Sequence, residues 1–390
     1  MNAVRECIFN VILFCWYRIA GFFFRLFPIE NDKIVFESFF GKGYGDNPKY
    51  IAENLLKNTT MPLKIVWLIK GEPCDDFPKM VQTVKRGSFK ELYHLSTAKV
   101  WVDNSRKHFG VRKRKNQYYM QTWHGSVYFK QIESDAKLSI WYRTSAKRDS
   151  KMADVLLSSS RWQTEQYRRC FWYTGTILEI GMPRNDFLAG RMKEGVAVKK
   201  KVYDYFQIDC DKKIVLYAPT FRGDGNLDAY DIDYQKLMAA LQKYWNGKWI
   251  VLVRLHPNIA GESSLVEYGE GVFNASLYSD MNELLLASEL LITDYSSCLF
   301  DAVYIEKASI IYASDIEEYN NKRGFTLPLS AAPVLIARNN MELEDRIKRF
   351  VMSTYIKKCQ KFSDEYGIIH RSDASKRAAD WIMSIVSKNS

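Results

Sequence analysis

KIVFESFFGKGYGDNPKYIAENLLKNTTMPLKIVWLI, residues 33–69, opens on a run of β-branched and aromatic residues and closes on another. Between them, NPKYIAENLLKN (47–58) places proline early and apolar residues at helical spacing. Strand, helix and strand in so short a span form the unit from which parallel sheets covered on both faces are built.

The same rhythm continues outward. KVWVDN (99–104), YYMQTW (118–123), VLLSSS (155–160) and TILEIG (176–181) read as further strands. It breaks at the charged, helical stretch PRNDFLAGRMKEGVAVKKKVYDYF (183–206). It resumes with KKIVLYAPTF (212–221), KWIVLVRLHP (248–257), GVFNAS (271–276), LLITDYSS (290–297) and ASIIYAS (308–314). A chain of 390 residues is too long for one ordinary core. The expected architecture is therefore two α/β units, 31–190 and 191–390, joined by a charged helix, with residues 1–30 set apart. Ligands of such sheets bind outside the carboxyl ends of the strands, which points to a cleft between the two units.

Composition narrows the function. With 47% hydrophobic and 14% aromatic residues the chain can bury substantial cores, which excludes disorder. Its 56 Lys and Arg against 45 Asp and Glu leave a net charge of +11, suited to an anionic partner. The seven cysteines (7, 15, 74, 170, 210, 298, 359) are scattered without a CxxC pair, so neither a disulfide framework nor a zinc site is expected.

CIFNVILFCWYRIAGFFFRLFP (7–28) is apolar but interrupted by Asn10, Arg18 and Arg25. The two arginines fall on roughly one helical face, with aromatics around the rest. That pattern fits a helix lying in a membrane interface rather than crossing it. The competing expectation is a helix packed on the first unit. SRKHFGVRKRKNQ (105–117) carries six Lys or Arg between two predicted strands. It reads either as a solvated loop or as a patch for acidic headgroups. It lacks the interleaved aromatics of a single-strand binder, and no DNA or RNA motif occurs, so nucleic acid is not an expected partner.

Four stretches carry residues able to do chemistry, each where a predicted strand gives way to a loop. In WHGS (123–126) a strand-end histidine beside glycine can project a near-neutral imidazole toward a hydroxyl. His124 is thus a candidate base, or a histidine satisfied within a turn. Gly125 and Ser126 accompany it on the acceptor side, and Lys130 either helps with an anionic acceptor or is merely surface. In YAPTFRG (217–223), Thr220 and Arg222 offer a hydroxyl and a guanidinium to phosphate. In RLHPN (254–258), Arg254 and His256 alternate along a strand end and share one face. In TDYSSCLFD (293–301), Ser296 and Ser297 fall near a helix start, where backbone N–H groups favour an anion, and Asp294 or Ser296 equally suits a cap. Walker A and GxGxxG patterns are absent. DID (231–233) matches a metal-binding DxD formally but lies in an acidic, surface-like stretch, so no metal site and no cofactor are expected.

Taken in order, WHGS, Lys130, APTFR, RLHP and TDYSSCLFD resemble the CDP-glycerol glycerophosphotransferases of teichoic acid synthesis. ESFFGKGYGDNPKYIAENLL, LSTAKVWVDNSR (95–106), GMPRNDFL (181–188) and YGIIHRSDASKRAADWI (366–382) extend the likeness over residues 33–385. The resemblance implies two Rossmann-like domains of the glycosyltransferase-B type, an N-terminal acceptor domain and a C-terminal CDP-donor domain. It also implies peripheral attachment to the cytoplasmic face of a bacterial membrane and a short, primase-sized member. The implied partners are a CDP-polyol donor, a polyprenyl-linked acceptor and an anionic membrane surface.

The implied reaction moves a polyol phosphate, glycerol phosphate foremost, onto a lipid-linked saccharide or polyol-phosphate chain, with CMP released and no metal required. His124 would be the general base. Thr220, Arg222, Arg254, His256, Ser296 and Ser297 would surround the pyrophosphate, and Asp294 and Asp301 would support the motif or a donor hydroxyl. Serine at 126, where the family commonly has threonine, keeps the hydroxyl. Two other readings stay open: a sugar-nucleotide glycosyltransferase of the same fold, and a basic membrane-binding protein without turnover.

Overall fold

The structure, a computed structural model, describes residues 3–73, 76–190, 193–220, 222, 231–255 and 268–387. The chain forms two compact units, one of residues 1–124, 132–186 and 371–390 and the other of residues 125–131 and 187–370.

The first unit is built on a seven-stranded parallel sheet of β1 (Glu30–Glu37), β2 (Lys64–Ile69), β3 (Gln82–Lys85), β4 (Ala98–Asp103), β5 (Tyr118–Gln121), β6 (Val155–Ser158) and β7 (Thr176–Glu179). Their spatial order is β3-β2-β1-β4-β5-β6-β7, so the direction of winding reverses between β1 and β4. Side chains alternate across the sheet, and both faces are buried. Ile34, Phe36, Trp67, Val100, Val102 and Met120 face one core, while Val35, Val66, Leu68, Trp101 and Tyr119 face the other.

The helix Asp46–Asn58 lays Ile51, Ala52 and Leu55 on the first of these cores. So does the last helix, Ala374–Val386, through Ala378, Ala379, Ile382 and Val386. The carboxylate of Asp186 accepts the N–H groups of Ala374 (2.9 Å) and Ser375 (2.6 Å) at the start of that helix. The chain's final helix therefore completes the first core, where a boundary at residue 190 would have grouped it with the second.

The second unit has a six-stranded parallel sheet of β8 (Lys212–Ala218), β9 (Lys248–Val253), β10 (Val272–Asn274), β11 (Leu290–Thr293), β12 (Ser309–Tyr312) and β13 (Leu335–Ala337). The order is β10-β9-β8-β11-β12-β13, with winding reversed between β8 and β11. Residues 125–131 belong here because Phe129 packs on Phe300 with centroids 5.0 Å apart, and Gln131 N–H donates to the Gly324 carbonyl at 3.0 Å. Lys130 pairs with Phe325 as a short antiparallel bridge.

The N-terminal helical segment has two unlike faces. One face packs on the first unit: Phe14 against Phe109 (5.4 Å), Trp16 against Phe89 (4.7 Å), and the Tyr17 hydroxyl on Glu91 Oε1 (3.2 Å). The other leaves Ile8, Phe9, Ile12, Ile19, Phe22 and Phe23 more than half exposed. Arg5–Phe24 is also long and apolar enough to cross a membrane.

Candidate active site

Every candidate residue the structure describes follows the carboxyl end of a strand, where successive strands of a doubly wound sheet splay apart. In the first unit, β1, β4 and β5 lead into Phe39, Asn104 and His124. Asn104 is fully buried. Its carbonyl lies 2.7 Å from His124 Nδ1. A carbonyl only accepts, so Nδ1 carries the proton and Nε2 of the neutral ring keeps its lone pair. Burial is the main force lowering the His124 pKa, and Arg184 adds to it; the Asn104 bond, Asp46 and Glu133 oppose them. The imidazole is thereby held neutral, in the tautomer a base at Nε2 requires.

The backbone beside His124 is braced from far along the chain. Arg184 Nη1 donates to the His124 carbonyl and to Asp46 Oδ2, both at 2.8 Å. Asn47 Nδ2 donates to the Trp123 carbonyl at 3.0 Å. Trp123 and Asp46 both adopt positive φ, 55° and 58°, a conformation that tertiary bonds must hold. Asp46, Asn47, Asn104 and Arg184 carry no signal of chemistry in the sequence by themselves. All four lie in stretches already quoted for their likeness to the family, which is the one signal that could have marked them.

The basic stretch 105–117 divides. Arg106 and Lys107 point inward and are buried. Arg106 pairs with Glu133 (2.9 Å) and Asp149 (3.0 Å), and Lys107 with Asp103 (2.7 Å) and Glu37 (3.0 Å). Those two cations are unavailable to headgroups. Arg112 and Lys115 remain exposed, and Arg112 and Arg114 lie near enough to Arg25 to depress its pKa further after burial.

In the second unit, Gly125 meets Ser297: a Cβ on Gly125 would stand 3.4 Å from Ser297 Oγ. Ser126 is buried, and Ser296 and Ser297 are half-buried. The helix they precede, Cys298–Tyr304, includes the buried Asp301 in its first turn. Asp294 acts as a clamp. It accepts the Thr220 N–H (2.9 Å), the Thr220 hydroxyl (2.6 Å) and Arg222 Nη1 (2.8 Å). Arg222 also donates through Nε and Nη2 to Asp315 (2.7 and 3.0 Å) and through Nη1 to the Thr220 carbonyl (2.7 Å).

The Arg222 charge is thus matched by two carboxylates, and its guanidinium carbon lies 4.9 Å and 5.0 Å from the ring centres of Tyr295 and Tyr319. Arg254 differs. Its Nη1 donates to the Tyr278 carbonyl, it has no ion-pair partner among the described residues, and burial lowers its pKa. A desolvated cation without a paired carboxylate is the better anion receptor of the two. Burial also lowers the Lys130 ammonium to about 8, with Asp294 opposing and Arg323 and Arg222 adding to the fall. His256 lies outside the described residues.

The DID aspartates are occupied structurally. Asp233 caps the helix Tyr234–Trp245 by accepting Lys236 N–H (3.0 Å), and Asp231 accepts the Tyr312 hydroxyl (2.7 Å).

Known proteins match this arrangement over its whole length. A structure of the wall teichoic acid polymerase TagF superposes with a TM-score of 0.84 and 30% identity, covering 100% of this chain and 98% of that one. A TagF variant soaked with CDPG gives the same values. A teichoic acid poly(glycerol phosphate) polymerase of Bacillus spizizenii is 31% identical over 94% of this chain and 95% of its own length. One of Staphylococcus epidermidis is 32% identical over 91% of this chain, which spans only 51% of that longer relative. The family model for CDP-glycerol:poly(glycerophosphate) glycerophosphotransferase matches residues 19–384, and the chain belongs to that family.

Proposed function

We propose that the chain transfers a polyol phosphate, glycerol phosphate foremost, from a CDP-activated donor to a hydroxyl of a lipid-linked saccharide or polyol-phosphate chain in teichoic acid or related surface-polymer synthesis. The observation that carries the reading is the Nδ1–H bond from His124 to the Asn104 carbonyl, which leaves Nε2 as a base. The acceptor hydroxyl gives its proton to Nε2 while its oxygen attacks the phosphorus bearing the polyol. The P–O bond to the cytidylyl phosphate breaks, and CMP leaves.

Charge grows on the phosphoryl oxygens and the leaving phosphate, so preorganised donors there lower the barrier. Arg254 and Lys130, with the hydroxyls of Ser296 and Ser297, are assigned to that task, and His256 remains assigned with them. Arg222, Thr220 and Asp294 are assigned to holding the loop. General-base help contributes roughly 10²–10⁴-fold.

The reading places the enzyme peripherally on the cytoplasmic face of the membrane. The exposed apolar side of the N-terminal helix would enter the lipid beside Arg18, Arg25 and Arg112, whose mutual repulsion suits anionic headgroups.

The test is CMP release with a detergent-solubilised lipid-linked disaccharide, offering CDP-glycerol and CDP-ribitol separately, with and without EDTA. Release from CDP-glycerol that persists in EDTA and is lost in His124→Ala supports the reading. Release of a nucleoside diphosphate from a sugar nucleotide would replace it, and full activity in the variant would remove His124 as the base.

A further inference from the structure

Ser38–Tyr44, the loop after β1, departs from what its sequence favours. Phe39 and Phe40 both adopt left-handed backbone conformations, with φ of 45° and 60°. Such φ values are costly for bulky residues and persist only when surrounding structure enforces them. Aromatic side chains ordinarily recover that cost by burial, yet these two remain 37% and 42% exposed.

The enforcement is visible. Phe39 N–H donates to Asn104 Oδ1 (2.7 Å) and Phe40 N–H to Ser105 Oγ (3.2 Å). Asn104 Nδ2 in turn donates to Ser38 Oγ (3.2 Å). Gly41, at φ 81°, closes the turn where no side chain fits: a Cβ would stand 2.8 Å from the Lys70 nitrogen. The loop is therefore a rigid mount holding two aromatic rings at the surface.

The mount stands beside the base. The Phe39 ring lies 5.5 Å from the His124 imidazole at 62°. The Arg86 guanidinium covers the Phe40 ring at 5.6 Å, and its charge is tied to Glu37 at 2.7 Å. A phosphate would find that cation already neutralised. A ring with one apolar C–H face and hydroxyls at its rim would instead find an aromatic surface with a proton acceptor at the edge.

We propose that Phe39 and Phe40 form a stacking platform for the terminal sugar ring of the acceptor, placing its hydroxyl at His124 Nε2. This rests on His124 as the base. It makes an unsubstituted saccharide, rather than a chain already ending in polyol phosphate, the acceptor this site selects.

The test uses two probes sharing one tail, an octyl disaccharide glycoside and octyl glycerol phosphate, read by saturation-transfer NMR on the whole protein. Transfer to the sugar C–H protons is expected in the wild type and is lost in Phe39→Ala/Phe40→Ala. Transfer confined to the octyl chain, with both probes lost together, means a lipid contact and overturns the proposal. Loss in Lys42→Ala, the exposed lysine that follows Gly41 in the same loop, with retention in the phenylalanine variants means phosphate recognition and overturns it too.

In turnover, each single alanine variant raises the KM for the saccharide acceptor about tenfold, the worth of one well-stacked ring, with the donor KM unchanged. Phe40→Gly, which relieves the backbone, raises the acceptor KM while the Tm holds or rises. A fall in Tm with unchanged KM would mark the rings as merely structural. Saturation transfer to the sugar protons that persists alongside full CMP release in His124→Ala would retain the platform and remove only the base.

Discussion

The carbonyl of Asn104 and Nδ1 of His124 lie 2.7 Å apart, while the Asn104 side chain accepts the Phe39 N–H, also at 2.7 Å. One buried residue thus sets the tautomer of the imidazole with its backbone and the course of the β1 loop with its amide. The two supports are separable by mutation, because only the amide can be removed.

Asn104→Ala strands the Phe39 N–H and the Ser38 hydroxyl in a buried place. The expected loss is about 1–3 kcal/mol, read as a lower urea midpoint. CMP release falls through a higher acceptor KM more than through kcat, since the carbonyl to His124 survives. An unchanged midpoint would remove the amide from this supporting role.

Arg222 and Arg254 separate in opposite directions. Arg222→Leu leaves the buried Asp294 and the half-buried Asp315 without their cation, at a cost of about 3–5 kcal/mol in the stability of the second unit. Arg254→Leu removes a desolvated charge. With no ion-pair partner for Arg254 among the described residues, the variant leaves the melting temperature nearly unchanged and raises the donor KM more than about tenfold, as the loss of a charged hydrogen bond to phosphate does. Equal melting temperatures for the two variants would contradict the assignment.

Acid weakens the first unit through two histidines. Burial holds His94 and His108 down from 6.5 to about 4. His108 Nδ1 accepts Gly110 N–H at 3.1 Å, and its Nε2 meets Asn10 Oδ1 of the N-terminal helix at 3.3 Å. The unfolded chain takes up these protons near pH 6.5 and the folded chain only near 4. Their contribution is whole above the higher value and erodes as pH falls toward the lower. Urea midpoints measured from pH 7 to 4.5 should decline, and His108→Gln should flatten part of that slope.

Phe22 and Phe23 are 62% and 64% exposed. Phe22→Ser/Phe23→Ser is expected to leave the melting temperature in place and to weaken co-sedimentation with anionic vesicles at least about a hundredfold, at roughly 1.5 kcal/mol or more per ring. Undiminished sedimentation would assign the vesicle contact to another surface.

The sequence made the central strands plain because β-branched and aromatic runs buried on both faces need no partner to be recognised. It did not reveal Gln82–Lys85 or Leu335–Ala337, edge strands too short or too polar to stand out. His124, Arg254 and the two serines were visible as chemistry-bearing residues at strand ends. Their braces were not, since Asp46, Asn104 and Arg184 meet only after the sheet has formed. Arg106 and Lys107 looked solvated for the same reason: Glu37, Asp103, Glu133 and Asp149 reach them through the fold rather than by sequence pattern.

The helix Ala374–Val386 has a consequence for biosynthesis. Ile382 and Val386 fill a face of the sheet whose strands leave the ribosome far earlier. While residues 187–370 are translated, roughly 10–40 s at roughly 5–20 residues per second, Ile51, Leu55 and their neighbours wait without their cover. The second unit has all its strands in hand before the first can close. The nascent chain is therefore most exposed to chaperones and to aggregation through the part of the protein that was made first.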